Sequence, residues 1–194
     1  MFNTPLFTAE TIRLTAVDAK EDSPALADWT QDSRYIPLMD EAPPHPLSAA
    51  QAEKMLGELL KQADEKRNSF WFGIRTLDES KLLGITGLDW VDWSNGAATM
   101  KLNMKNLAEY GRPSAAETLT LMQQYVFHEL QLHRLNLIVP AYNEGLIAAV
   151  QEKGFIEEVR QREAVYRFGR RWDLLRFGLL AADWTAWANR KADD

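Results

Sequence analysis

Gly111, Arg112 and Pro113 stand between a run of alternating apolar residues and the start of an amphipathic stretch. A strand that feeds a Gly-containing turn and then a helix presents unpaired backbone N–H groups at the positive end of that helix, an arrangement that holds phosphate. Gly111 lets a ligand approach the backbone, and Arg112 adds a positive charge. The same residues also read as a plain helix start: Pro113 suits the first helical position, and Ser114 and Glu117 have the spacing of a capping box. On these residues alone both readings stand. Carboxylates supply the other candidates. Asp40 and Glu41 lie in the Pro-rich segment 32–47, where they either attract a cationic amine or are simply solvated. Asp89 and Asp92 alternate with Trp90 and Trp93 and serve as a base, an amine anchor or surface turn residues. His45 is a candidate base in the loop or a histidine without a role. His128 falls off the apolar stripe of its helix and reads as solvated. Three scattered histidines without paired carboxylates make no metal site.

Composition narrows the classes. The chain has 194 residues, which suits one domain over 1–194, and 46% of them are apolar, including seven Trp, enough for a sizeable core. A formal charge of −6 carries no footprint for nucleic acid; it aids solubility and mildly favours a neutral or cationic partner. No apolar run is long enough to span a bilayer. The first residues lack the basic-then-apolar pattern of a secretory signal. With no cysteine there is no disulfide, thiolate metal site or Cys nucleophile. A cytoplasmic protein is the simplest reading.

The elements that must position these residues follow from periodicity. Alternation predicts a strand over Thr11–Val17, and Pro24 suits the first turn of a short helix to Thr30 with Trp29 as its core anchor. Four prolines exclude regular structure from 32–47, and a loop of that length in a compact domain is often functional. Ser48 opens a helix to about Asp64, with Gln51 completing a capping box and Met55, Leu56, Leu59 and Leu60 on its apolar face. Ser69–Thr76, Lys81–Trp90 and Ala97–Met104 read as three strands joined by connections too short for parallel crossovers, hence an antiparallel meander. The next helix, Ser114–Gln131, carries Ala115, Leu119, Met122, Val126 and Leu130 as one stripe. Leu135–Val139 reads as a strand buried on both faces and parallel to Ala97–Met104, making a βαβ unit. A helix over Glu144–Lys153 stops at Gly154. Strands near Phe155–Phe168 and Trp172–Leu180, turning at Gly169-Arg170-Arg171, and a terminal helix from Ala181 to Arg190 complete the chain.

Taken in order, these segments resemble the GNAT N-acetyltransferase superfamily. The residues that carry the likeness are LFTAETIRLTAVDAKEDSPALADW at the start and YGRPSAAETLTLMQQYVF in the centre. LQLHRLNLIVPAYNEGLIAAVQEKGF and RRWDLLRFGLLAADW, with Asp173, follow. The branch most similar is RimJ/RimL, whose named members acetylate N-terminal amines of ribosomal proteins. The resemblance implies a mixed α/β fold with a splayed, mostly antiparallel sheet of about seven strands flanked by helices. It implies acetyl-CoA as co-substrate, bound between Ala97–Met104 and Leu135–Val139. Pyrophosphate would meet backbone N–H groups from Tyr110 through Ala115, the set that includes Gly111, Arg112, Pro113 and Ser114. The pantetheine arm would run along Leu102–Met104 like an added strand, and Asn143 would turn its side chain to it. An amine would attack the thioester directly while a general base takes its proton and a backbone N–H near Met104 stabilises the oxyanion. The resemblance also makes His133 a structural residue at the opening of its strand.

Two positions depart from the family pattern. Pro113 replaces a Gly or Ala and removes one phosphate donor. Val150 stands where many members place a Tyr as acid for the leaving thiolate, and Leu146 where the branch often has Ser. Neither usual acid is present, and Tyr142 and Tyr166 are the nearby phenols. Three acceptor readings follow: a protein N-terminal amine, a small amine such as a polyamine or amino sugar, or no acceptor in a non-catalytic acyl-CoA-binding protein. A homodimer is left open.

Overall fold

Short-range periodicity builds most of the sheet. The structure, a computed structural model, describes residues 6–35 and 45–193, with side chains through 189. Strands β1 (Ile12–Ala16), β2 (Phe70–Thr76), β3 (Leu82–Asp92) and β4 (Ala97–Met104) form an antiparallel meander. Strand β5 (Arg134–Pro140) lies parallel to β4, and β7 (Arg170–Leu180) pairs antiparallel with both β5 and β6 (Ile156–Arg167). The order across the seven-stranded sheet is β1-β2-β3-β4-β5-β7-β6. This is the mixed, mostly antiparallel sheet with flanking helices that the resemblance implies.

Helices α1 (Ala19–Trp29) and α2 (Ala49–Lys66) pack Leu26, Trp29 and Leu56 on Trp71 of β2 and Ile85 of β3. Helix α3 (Pro113–Gln124) and helix α4 (Glu144–Glu152) cover the opposite face, where Ala98, Met100, Leu102 and Met104 of β4 meet Leu119, Met122 and Val150. Helix α5 (Ala181–Asp193) docks by Trp184 on Phe127, rings 5.2 Å apart.

Three boundaries and one burial pattern differ from expectation, each for a local reason. Helix α1 begins before Pro24, because Asp18 caps it by accepting from the N–H groups of Lys20 and Glu21 at 2.9 Å each. Pro24 then lies inside the helix, where it cannot donate to Lys20; the Ser23 hydroxyl donates to that carbonyl instead, at 3.0 Å. The amphipathic stretch after Gly111 is α3 followed by one π turn, Tyr125–Glu129, which seats Tyr125 against Phe7, Phe70 and Phe72. Strand β5 is buried on one face only. Leu135, Leu137 and Val139 point into the core under α3 and α4, whereas Asn136 is half-buried and Ile138 is exposed on the other face. The β6–β7 turn falls at Phe168-Gly169, both with positive φ, one residue earlier than the expected Gly169-Arg170-Arg171 turn.

Candidate functional site

Strands β4 and β5 pair only from Ala97–Met100 against Arg134–Leu137. Beyond Met100 and Leu137 the two strands run on, to Met104 and Pro140, with no pairing between them. The parting opens a narrow cleft lined by Lys101, Leu102, Asn103, Tyr110, Leu137, Ile138 and Asn143.

The Tyr110 segment reaches the cleft through a 3-10 turn, Leu107–Gly111, whose N-cap Asn106 accepts from the Glu109 N–H at 3.2 Å. Helix α4 presses on this turn. A Cβ added at Gly145 would lie 3.0 Å from the Gly111 nitrogen, so only glycine lets the two approach. That contact sets Asn143, the N-cap of α4, at the rim of the cleft. Its Oδ1 accepts from the Leu146 N–H at 3.2 Å, and its Nδ2 is buried with no partner. The approach of α4 to the turn passes unnoticed in the sequence; its only trace there is the glycine two residues after Asn143.

At the start of α3 the capping box does not form. Pro113 takes the first helical position, so the N-cap is Arg112 and Ser114 already lies inside the helix. Glu117 instead accepts from the N–H and hydroxyl of Thr11, 106 residues away, at 3.0 Å. The Ser114 hydroxyl is left buried without a partner. The N–H groups expected to meet phosphate are also partly engaged: Arg112 donates to the Glu109 carbonyl at 3.1 Å and Ala115 to the Arg112 carbonyl at 3.2 Å. Nothing stands within 4 Å of where a Cβ on Gly111 would be. Glu109 is buried between Lys105 at 3.4 Å and Arg112 at 3.5 Å, which leaves the turn one positive charge in excess.

The Met104 N–H does not stand open for an oxyanion. It donates to the Tyr110 hydroxyl at 3.1 Å, and that hydroxyl donates to the Leu102 carbonyl at 3.1 Å. Tyr110 is fully buried. Val150 and Leu146, at the two positions where the family resemblance implies an acid, are both buried and apolar. Tyr142 packs edge-on to Phe168 and Trp172. Tyr166 is exposed on β6.

Asp40 and Glu41 lie outside the described residues. Asp89 occupies the bulge where β3 slips against β4 and pairs with Lys101, a cleft residue, at 3.6 Å. His45 is exposed. His128 is not simply solvated, since its ring makes a T-shaped contact with that of Trp184, centroids 4.6 Å apart. The backbone of His133 donates to Gly96 and accepts from Ala181, a structural position. Among the described residues no group of side chains could hold a metal ion. Asp173 is tied down rather than presented: the Glu163 N–H and then Arg160 hold its carboxyl below the usual carboxylate range. Near the cleft, burial, then the neighbouring Tyr110 phenol, push the Tyr35 hydroxyl above the usual tyrosine range.

The family described as an acetyltransferase (GNAT) domain matches residues 12–156. A probable N-acetyltransferase of Bacillus subtilis (strain 168), YjcK, is 29% identical over 101 residues, which are 52% of this chain and 56% of that protein. The match therefore spans little more than half the length of that relative. Among solved structures, the spermidine N-acetyltransferase of Vibrio cholerae in complex with CoA and spermine superposes with a TM-score of 0.71 at 19% identity, covering 90% of this chain and 98% of that one. A probable acetyltransferase superposes with a TM-score of 0.75 at 24% identity, covering 91% and 96%. At these identities the superpositions speak for the fold. A family match over most of the chain, on a sheet that parts between β4 and β5 beside a Gly turn, leads to one conclusion: the chain belongs to the GNAT acetyltransferase family.

Proposed function

We propose that this protein is an acetyl-CoA-dependent N-acetyltransferase that acetylates the primary amine of a small cationic molecule by direct attack on the thioester. The observation that carries the reading is the buried, partnerless Nδ2 of Asn143 at the rim of the parted strands. A buried amide donor without an acceptor costs stability unless a ligand supplies one, and the amide-bearing arm of CoA is such a ligand. The Ser114 hydroxyl and the excess charge at Arg112 suit the phosphates. Bound there, the thioester supplies an activated acetyl group. Asp89, a carboxylate joined to the cleft through Lys101, is our candidate to hold the acceptor ammonium or take its proton; that ion pair supports the assignment.

The small-amine reading is favoured by the company the fold keeps, which includes spermidine N-acetyltransferases, and agrees with the net negative charge. RimJ/RimL-like acetylation of a protein N-terminus is the second acceptor reading, supported by the resemblance of the chain from Leu6 to Trp184. A non-catalytic acyl-CoA-binding protein is the third, supported by Val150, Leu146 and Pro113.

Calorimetric titration with acetyl-CoA tests the proposal, with Asn143→Asp beside the native chain. Aspartate keeps the capping oxygen of α4 and lacks the donor. Micromolar binding by the native protein is expected, with roughly a fivefold loss in the variant, the effect of one neutral hydrogen bond of about 1 kcal/mol. Absence of binding at millimolar acetyl-CoA sinks the reading. Turnover of spermidine against that of a peptide N-terminus separates the first two acceptors, and binding without turnover of any amine points to the third.

A further inference from the structure

Strand β4 directs the backbone groups of alternate residues to opposite neighbours. The Lys101 carbonyl accepts from the Thr86 hydroxyl at 2.8 Å and the Lys105 N–H donates to the Leu83 carbonyl at 2.9 Å, both on the β3 side. The Ala98 carbonyl accepts from the side-chain amide of Asn136 on β5 at 3.1 Å. The backbone groups of Leu102 and Met104 therefore face β5, in the stretch where β5 has parted. An extended arm entering the cleft as an added strand needs these groups: the Met104 N–H for its carbonyl and the Leu102 carbonyl for its N–H. The Tyr110 hydroxyl already holds both, each at 3.1 Å. The phenol and the arm cannot occupy the same place.

We propose that Tyr110 is a gate on the donor cleft: its side chain is the self-supplied occupant of the pantetheine track, and donor binding requires it to swing out. This rests on the acetyl-CoA reading above. The backbone at Tyr110 is held, because Gly145 packs against its carbonyl carbon and Cβ, so opening is a rotation of the side chain. The closed state satisfies two buried backbone groups that the parted strands otherwise leave without partners, which is why the phenol stays. Apparent affinity for the donor is then the intrinsic affinity scaled by the open fraction.

Tyr110→Phe removes both hydrogen bonds and weakens the closed state. Titrations with CoA and with 3′-phospho-ADP, which has no pantetheine arm, read the consequence. The gate predicts that the variant binds CoA roughly tenfold more tightly, as loss of one to two neutral hydrogen bonds from the closed state dictates. It predicts unchanged affinity for 3′-phospho-ADP and a lower melting temperature in the absence of ligand. Binding of CoA by the variant but not by the native protein is the same result in its extreme form. If the native protein binds CoA and the variant binds it equally or more weakly, the gate is overturned while the donor reading survives. If CoA binds neither protein, both fall together. A gain for 3′-phospho-ADP equal to that for CoA also overturns the gate, since the effect then lies outside the arm.

Discussion

The carboxylate of Asp78, in the β2–β3 turn, accepts from the Thr76 hydroxyl at 2.5 Å and from the N–H and hydroxyl of Ser80 at 3.1 and 2.8 Å. These bonds, the Thr76 one foremost, bring its pKa down from 3.8 to about 2. A carboxyl with a depressed folded pKa contributes stability that is complete above its unfolded value and lost as pH falls through the folded one. The window here runs from about pH 4 to about pH 2. Asp78→Asn is therefore expected to melt below the native protein at neutral pH, with the difference closing across that window. Thermal melts between pH 7 and pH 2 check this; a difference that stays constant to pH 2 refutes it. The same accounting explains why Pro24 is tolerated. What a proline removes is one donor, and the Ser23 hydroxyl supplies another to the same carbonyl.

At the scale of elements, α2 is specified by its ends. Ser48 accepts from the Gln51 N–H at 3.3 Å and Gln51 accepts from the Ser48 N–H at 2.9 Å, the reciprocal pair that its spacing predicts. Arg67 closes the other end in a left-handed conformation. Ser48→Ala is expected to destabilise the protein by about 1 kcal/mol, measured by denaturant unfolding with an unchanged slope. Since α2 covers β2 and β3 rather than the parted strands, donor affinity should not move; a loss of CoA binding would place α2 in the donor site. The glycines of β3 show the complementary limit. A Cβ at Gly87 would overlap the Phe70 carbonyl oxygen, and one at Gly84 would stand 2.6 Å from the Asn103 oxygen. The crowded strands β2, β3 and β4 have no room for side chains there.

Across the whole molecule, the last helix ties the end of the α3 stretch to the end of α4. Trp184 is 6% exposed, stacks on Phe127 and meets His128 in a T-shaped contact, while Trp187 donates to the Glu152 carbonyl at 3.0 Å. Trp184→Ala is expected to cost about 3–5 kcal/mol, the range for emptying a large buried aromatic site. Calorimetric melting reads that loss, and a change below about 1 kcal/mol would mean that α5 is peripheral. On the far side, Arg167 of the β6–β7 hairpin donates to the carbonyls of Ser33 and Tyr35 at 2.8 Å each, joining the hairpin to the end of α1. The sheet is thus braced on both flanks while its centre parts. No helix among the described residues is long and apolar enough to cross a membrane.

Interactions of short range were legible in the residues alone. Alternation marked β1, strand-like runs between short turns marked β2 to β4, Ser48 and Gln51 marked the start of α2, Gly154, with φ of 87°, marked the stop after α4, and the intervening helix made β5 parallel to β4. Each of these depends on neighbours a few residues apart, so the pattern carries it. The site was legible only as a set of positions: Gly111, Asn143 and the β4 residues were named, but not what their polar atoms do. Glu117 looked like the partner of Ser114 because they are three apart, yet it bonds Thr11 across the fold. Leu135–Val139 looked doubly buried because an apolar run does not show which faces the helices reach. Asp89 joins Lys101 only because β3 bulges where the strands register. The Tyr110 hydroxyl lies between Leu102 and Met104 because β5 turns away at Leu137 and leaves two backbone groups to satisfy. Local propensity cannot say where a long-range partner is missing. Only the packed structure decides which buried donors and acceptors are left over beside the parted strands.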